Sequence, residues 1–148
     1  MDLKNAVILE RYKYILARKQ SLNEATFKIA AIYQALMLGV AVAQYNVLLS
    51  AHEKKISSDL SLFSTYCLMA IFIIISAFVF SLLCGGVFAW LKYKRDEDGV
   101  ELKVFGVCRP KVRVLSLFTW YETYFALVVF LIGLGGVYMY VRCIIPEA

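Results

Sequence analysis

The amino-acid sequence predicts an all-α integral membrane protein with three transmembrane helices. The first observation is three runs without a charged residue, at residues 29–49, 66–91 and 123–141. A helix rises about 1.5 Å per residue, so about 20 residues cross a hydrocarbon core of about 30 Å. The second observation is composition: 61% of the residues are hydrophobic, whereas a soluble domain has about 45–50%. Surface-to-volume scaling disfavours a soluble fold that buries three apolar helices in so small a chain.

The distribution of Lys and Arg predicts the orientation. Six of them precede the first run and seven lie in residues 92–122, whereas residues 50–65 carry two and the segment after residue 141 carries one. Because Lys and Arg are retained on the cytoplasmic side, we expect the N-terminus and residues 92–122 in the cytoplasm, with the C-terminus outside a cell inner membrane. The net charge of +5 reflects this topology. Direct nucleic-acid binding is not expected, since it needs a dense basic patch with stacking aromatic residues.

The sequence predicts a separate N-terminal helix and one helix start ahead of each of the first two spans. Residues 3–20 are expected to form an amphipathic cytoplasmic helix, because apolar residues recur there at helical spacing between Lys and Arg. Such a helix can lie on the anionic inner leaflet or pack on another subunit. Ser21 and Glu24 form a capping-box pattern, which predicts a new helix that starts at Ser21 and runs through the first span. Residues 57–59 supply N-cap chemistry for the second span.

Residues 92–122 are predicted to form a small cytoplasmic loop that leads into the third span. The Asp-Glu-Asp-Gly sequence at 96–99 predicts a turn. Residues 100–107 alternate weakly, as in a short strand or a β-hairpin arm. Pro110 suits the first turn of the next helix, which would form an interfacial lead-in. Residues 1–148 are thus predicted to form a single membrane domain.

Small residues recur every four positions in the first two spans and predict close helix packing. Such stripes let helix backbones approach, so that dispersion and Cα–H contacts hold helices together in lipid. The third span has a similar face headed by Glu122. Helices with this many contact faces need more neighbours than a three-span monomer offers, which predicts a homo-oligomer or an obligate partner. The residues predicted for packing are Ala31, Ala35, Gly39, Ala43 and Asn46 in the first span, Ala77, Ser81, Gly85 and Ala89 in the second, and Gly133 and Gly136 in the third.

Polar side chains in or near the spans are the remaining candidates. Gln34 and Gln44 lie on another face of the first span. The remaining sector of this helix consists of bulky residues, among them Tyr33, and we expect this sector to face lipid. The glutamines fit two roles: the lining of a pore or cavity, and interhelical hydrogen bonds worth about 0.6 kcal/mol each. Glu122 is expected to point at protein and to pair with Lys28 at the inner end of the first span. Two alternatives stay open for Glu122: proton or ion handling, and a solvated position at the cytoplasmic interface.

No residue pattern indicates catalysis or a cofactor. The sequence lacks a nucleophile elbow, a P-loop, a glycine-rich dinucleotide turn and paired carboxylates within a span. Its four cysteines have no metal-ligand spacing, and its one histidine, His52, cannot form a metal site alone. Cys67 and Cys143 fall near the predicted outer surface. Two interpretations stay open: a disulfide between them, and two unrelated cysteines that pack as small apolar residues. We expect no enzyme, no cofactor and no metal.

The N-terminal half of the chain carries one family resemblance. Residues 11–20 read RYKYILARKQ, a basic and aromatic segment that continues through a short cap into closely spaced spans. Over residues 8–93 this architecture resembles the small SLATT-type membrane effectors of prokaryotic immunity operons. The chain departs from that pattern by having a third span in place of a soluble C-terminal helix. The resemblance implies an oligomeric effector in antiviral defence that breaches the inner membrane when a partner signals infection.

Two alternatives without catalysis stay open. A scaffold subunit would recruit a cytoplasmic protein partner through the N-terminal helix and the basic residues Lys92, Lys94, Arg95 and Arg109. A small membrane immunity protein would instead block a pore-forming toxin within the bilayer. A solute carrier or channel is disfavoured, because the first two spans lack the signals of discontinuous helices.

Overall fold

The structure is a computed structural model that describes residues 3–105 and 121–147, and within those residues it contains helices and no strand. Three of the helices are long and apolar enough to cross a membrane. The predicted all-α architecture with three apolar helices is therefore confirmed. The elements are α1 (Leu3–His52), α2 (Ser58–Phe105), α3 (Tyr121–Met139), a π-helical turn (Tyr140–Ile144) and a 3₁₀ turn (Ile145–Glu147).

α1 is one unbroken helix of 50 residues. A separate amphipathic helix over residues 3–20 and a helix start at Ser21 are therefore both wrong. Ser21 lies inside the helix, and the nearby Glu24 accepts a hydrogen bond from the Gln20 amide at 3.2 Å instead of capping a new helix. The sequence has no Gly before Gly39 in this stretch and no Pro, so nothing interrupts the backbone ladder.

The connection between α1 and α2 is a short turn with well-defined caps. Lys54 adopts a left-handed backbone conformation with φ of 55°. Its N–H bonds the Ala51 carbonyl and the N–H of Lys55 bonds the Ser50 carbonyl, both at 2.9 Å, which is the Schellman pattern of a helix end. The Ser57 hydroxyl then accepts from the Leu60 N–H at 3.4 Å. The predicted N-cap of the second span is therefore confirmed.

α2 stays helical where the sequence predicts a turn and a strand. It runs without a break to Phe105, so the predicted turn at 96–99 and the predicted strand over residues 100–105 are wrong. Residues 106–120, which include Pro110 and most of the predicted lead-in, lie outside the described residues. Lys94 pairs with Glu97 at 3.2 Å and with Asp98 at 3.3 Å. Ion pairs at these spacings favour a helix, and Gly99 opposes it by only about 1 kcal/mol.

The chain forms two compact units. Unit 1 comprises Met1–Lys28 and Leu82–Tyr124, and unit 2 comprises Ile29–Ser81 and Phe125–Ala148. In unit 1, the N-terminal part of α1 packs against the C-terminal part of α2. In unit 2, α1 and α2 run antiparallel from their turn, and α3 packs on α2.

Polar side chains join α1 to α2 inside unit 2. Tyr33 is only 4% exposed, so its expected place in a lipid-facing sector is wrong. Its hydroxyl lies 3.3 Å from the Ser76 hydroxyl of α2. A tyrosine hydroxyl needs a hydrogen-bond partner when it leaves water, and the inward position provides one.

The small face of the third span packs against α2. A Cβ atom on Gly133 would lie 3.6 Å from the Ser76 Cβ, and one on Gly136 would overlap the Phe72 ring. The Phe72 ring also packs against Tyr140, with ring centroids 6.0 Å apart. Beyond Met139 the backbone widens into a π-helical turn, in which the Ile145 N–H bonds the Tyr140 carbonyl. The following Pro146 has no N–H to continue an α-helix.

Candidate functional site

A partly buried ion-pair cluster joins the two helices of unit 1. We call it the Lys19 cluster, and it comprises Lys19, Trp90, Lys94 and Glu97. Lys19 Nζ lies 2.5 Å from Glu97 Oε2, and the two side chains are 17% and 7% exposed. Lys94 Nζ reaches the same carboxylate oxygen at 3.2 Å. One carboxylate thus accepts two ammonium groups, one from each helix.

An aromatic ring completes the Lys19 cluster. Lys19 Nζ lies 4.9 Å from the centroid of the Trp90 ring, within the range of a cation–π interaction. Removing one partner from such a desolvated pair leaves an unpaired charge, which is more costly than losing a surface pair. The cluster therefore fixes the register of α1 against α2 in unit 1. No group of three His, Cys, Asp or Glu residues in the described part of the chain could hold a metal ion.

A second polar cluster joins α1 to α2 near their turn. We call it the Gln44 cluster, and it comprises Gln44, Ser61 and Thr65. The Gln44 amide donates to Thr65 Oγ1 at 3.0 Å, which is the interhelical hydrogen bond expected as one of its two roles. Ser61 and Thr65 are both completely buried. In each unit the cluster lies at the seam between α1 and α2, meaning the face of α1 that contacts α2, although all members of both clusters are polar or charged apart from Trp90.

The other glutamine occupies a different environment. Gln34 is exposed on the surface of α1, although it lies within the first apolar run. An amide that faces hydrocarbon lacks the hydrogen-bond partners that water would give it. Gln34 therefore marks a place on α1 where a polar partner or water would be favourable.

The small residues of the first two spans face outward from the chain. The buried Tyr33 and Gln44 lie two positions from Ala35 and Asn46, and two positions turn a helix by about 200°. The stripe on α1 consequently lies on the side opposite the seam with α2. Its packing role stays a prediction, because these positions are not used for contact between α1 and α2. Exposed are Ala31, Ala35, Gly39, Asn46, Ala77, Ser81 and Gly85, while Ala43 and Ala89 are partly exposed.

Glu122 is buried at the beginning of α3, as the expected contact with protein requires. Lys28, its expected partner, is exposed. Among the described residues, the ion pairs do not include one between these two side chains. The expected pairing of Lys28 with Glu122 is therefore not found.

The basic residues expected to dock a partner divide into two groups. Lys92 and Arg95 are exposed on α2 and are accessible to an acidic surface. Lys94 is engaged with Glu97 in the Lys19 cluster. Arg109 lies outside the described residues.

An apolar groove of about 310 Å³ runs between α2 and α3 in unit 2. Ile73, Ala77 and Phe80 line one side, and Phe130 and Leu134 line the other. The surface offers almost no polar atoms, so it suits acyl chains or another helix and provides no chemistry for a polar substrate. Cys67 and Cys143 are free thiols in the structure, and both are exposed.

Comparison of the chain with models of protein families, with curated proteins and with solved structures finds no match.

Proposed function

We propose that this chain is the oligomeric membrane component of a prokaryotic defence or signalling system and that it permeabilises the inner membrane when triggered. The observation that carries the proposal is the outward face of α1. This face carries exposed small residues, which permit close helix contact. The exposed amide of Gln34 flanks it, because one position turns the helix by about 100° from Ala35. Small residues together with a polar side chain are typical of interfaces between helices in lipid.

The contacts within the chain support assembly through this face. α1 packs on α2 through Tyr33 and Gln44, on the side opposite Gly39. A Cβ on Gly39 would meet no atom within 4 Å, so the glycine is not needed for packing inside one chain. Neighbouring copies would give the small face and the Gln34 amide their partners. Repeated around an axis, the same contact would place polar amides on the inside of an assembly, where water and ions can pass.

The charge pattern supports the orientation that this function needs. Under the positive-inside rule, the basic N-terminal part of α1 and the part of α2 beyond residue 91 lie on the cytoplasmic side. The Lys19 cluster then lies at the cytoplasmic ends of α1 and α2, which are continuous helices. A signal that changes the packing of unit 1 would reach the spans through these same helices.

Leakage from liposomes tests the proposal. The full chain is reconstituted at increasing protein-to-lipid ratios, and release of a trapped fluorescent dye is measured. We expect dye release by the wild-type chain to rise more steeply than linearly with the protein-to-lipid ratio, because several copies must meet. We expect Gly39→Leu to abolish the release. Gly135→Leu is the matched control, because Gly135 is also an exposed helical glycine with open space around its Cβ position. Crowding at high protein-to-lipid ratios replaces the trigger in this assay, because it forces copies together. Absence of release at the highest ratio, or equal release by Gly39→Leu, would overturn the proposal.

A scaffold role is the second candidate, and the exposure of Lys92 and Arg95 favours it. A scaffold would retain an acidic cytoplasmic protein during purification in mild detergent. We expect the double variant Lys92→Glu, Arg95→Glu to release that protein, whereas Lys55→Glu, at an exposed lysine of the turn, would not. Retention that both variants leave unchanged would exclude these residues as the docking surface.

A further inference from the structure

The Gln44 cluster contains two buried polar atoms whose hydrogen bonds are incomplete. Gln44 uses its amide nitrogen to bond Thr65, whereas its carbonyl oxygen Oε1 has no hydrogen-bond partner within the described part of the chain. The same holds for the Ser61 hydroxyl, which is 0% exposed. Buried polar atoms in folded proteins are almost always satisfied by protein or by ordered water.

The spacing of the two groups suits one bridging molecule. Ser61 and Thr65 lie four residues apart on α2, which places their Cβ atoms about 5–6 Å apart on the same face of the helix. Because Gln44 bonds Thr65, its amide is about one helical turn from Ser61. Two hydrogen bonds of about 2.8 Å each cover such a gap.

The chemistry of the cluster selects a small neutral molecule. Gln44 Oε1 accepts a hydrogen bond, and the Ser61 hydroxyl can donate or accept one. All three side chains of the cluster are uncharged, so nothing in it compensates a desolvated cation. Both unpaired atoms are fully covered, so a peptide or a lipid headgroup cannot reach them without separating the helices.

We infer that Gln44 and Ser61 bind one water molecule between α1 and α2, which donates to Gln44 Oε1 and bonds the Ser61 hydroxyl. A buried water with polar partners on two elements is a regular part of folded structures. This water site lies one helical turn beyond the cap of α2 at Ser57. It joins the Gln44–Thr65 bond in fixing the register of the helices near their turn. The inference does not depend on the proposed function.

Water-edited solid-state NMR of the full chain in bilayers tests the inference. Magnetisation from water is expected to reach Gln44 Cδ and Ser61 Cβ several-fold faster than it reaches Val79 and Leu83, which are buried apolar residues of α2. Ser61→Ala should slow the transfer to Gln44 to the rate of Val79. Ser58→Ala, at an exposed position one turn before, should leave that transfer unchanged.

Two results would overturn the water site. The first is transfer to wild-type Gln44 that is as slow as transfer to Val79. The second is fast transfer that Ser61→Ala leaves unchanged, because the water would then not be shared with Ser61. A retained cross-peak between Gln44 and Thr65 shows that the helix pair is intact in the variant. If Ser61→Ala does not insert into the bilayer, the wild-type rates alone decide the question.

Discussion

Gly136 of α3 faces the ring of Phe72 of α2 so closely that a Cβ atom at position 136 would overlap the ring. The ring is buried and is also held by Tyr140, so it has little freedom to move away. Close approach of this kind is the reason that glycine is frequent where helices meet in lipid. The contact makes Gly136 the point at which α3 is most sensitive to a change of side-chain volume.

Gly136→Ala should therefore destabilise the chain, although alanine is the better helix former. Overpacking of a filled interface costs roughly 1–3 kcal/mol, whereas the gain in helix propensity is at most about 1 kcal/mol. Unfolding followed by circular dichroism in detergent measures the net effect. Adding Phe72→Leu should recover part of the loss, because the smaller side chain makes room for the methyl group.

Gly135→Ala is the control for this comparison. Gly135 is exposed, and a Cβ there would meet no atom within 4 Å. We expect this variant to be neutral or stabilised by up to about 1 kcal/mol. Equal behaviour of the two alanine variants would show that Gly136 does not pack on Phe72.

Lys19→Met should weaken unit 1, because Glu97 would keep Lys94 as a partner but would lose its partner on α1. We expect a loss of roughly 1–3 kcal/mol, below the roughly 3–5 kcal/mol of a fully buried pair that loses one member. Faster hydrogen exchange of the amides in residues 90–102 would report it. Replacing both residues, Lys19→Met with Glu97→Met, should restore part of the slow exchange, because the buried carboxylate is removed together with its partner on α1 while Lys94 keeps Asp98.

The exposed pair of Lys55 and Glu53 provides the comparison for Lys19. Its side chains are 69% and 43% exposed, and exposed pairs contribute little because water and salt screen them. Lys55→Met should change stability by no more than about 0.5 kcal/mol. A Lys19→Met effect equally small would mean that the Lys19 cluster does not hold the helices of unit 1 together.

Gln44→Leu and Gln34→Leu should act on different contacts. Gln44→Leu removes a bond between α1 and α2 and should lower the stability of the monomer by about 0.6 kcal/mol, up to about 1.7 kcal/mol. Gln34→Leu touches no such bond, so monomer unfolding should be unchanged while assembly between copies weakens. Unfolding in detergent and sedimentation at several protein concentrations separate the two effects. Loss of monomer stability in Gln34→Leu would contradict the outward position of this amide.

The extent to which the sequence predicted this fold differs between the helices. The three apolar runs and the Ser57 cap are visible in single stretches of sequence, and both are found in the structure. The face that contains Glu122, Gly133 and Gly136 also follows from helical spacing alone, and in the structure it is turned toward protein.

Apart from the interhelical hydrogen bond expected of Gln44, the contact between α1 and α2 does not follow from the sequence, because its members do not resemble a core. Gln44, Thr65 and Ser76 are polar, yet they are buried, while bulky apolar residues of the same helices face outward. In lipid the polar groups must find partners inside the protein, and apolar side chains are suited to the surface. Tyr33 was misplaced for this reason, since its partner Ser76 is on another helix and distant in sequence.

The helical course of residues 96–105 was missed for a related reason. The Asp-Glu-Asp-Gly sequence has the composition of a turn, and local sequence alone favours that interpretation. The decisive partner of Glu97 is Lys19, which lies on a different helix and cannot be identified by reading along α2. The Lys19 cluster was therefore absent from the predicted sites.

The number of copies in the assembled protein decides whether the chain assembles through the outward face of α1. The full chain, labelled once per copy, is placed in bilayers at low density, and photobleaching steps are counted for single particles. The account predicts several steps per particle for the wild-type chain and for Gly135→Leu, and a single step for Gly39→Leu. Single steps for the wild-type chain, or several steps for Gly39→Leu, would contradict assembly through the outward face of α1.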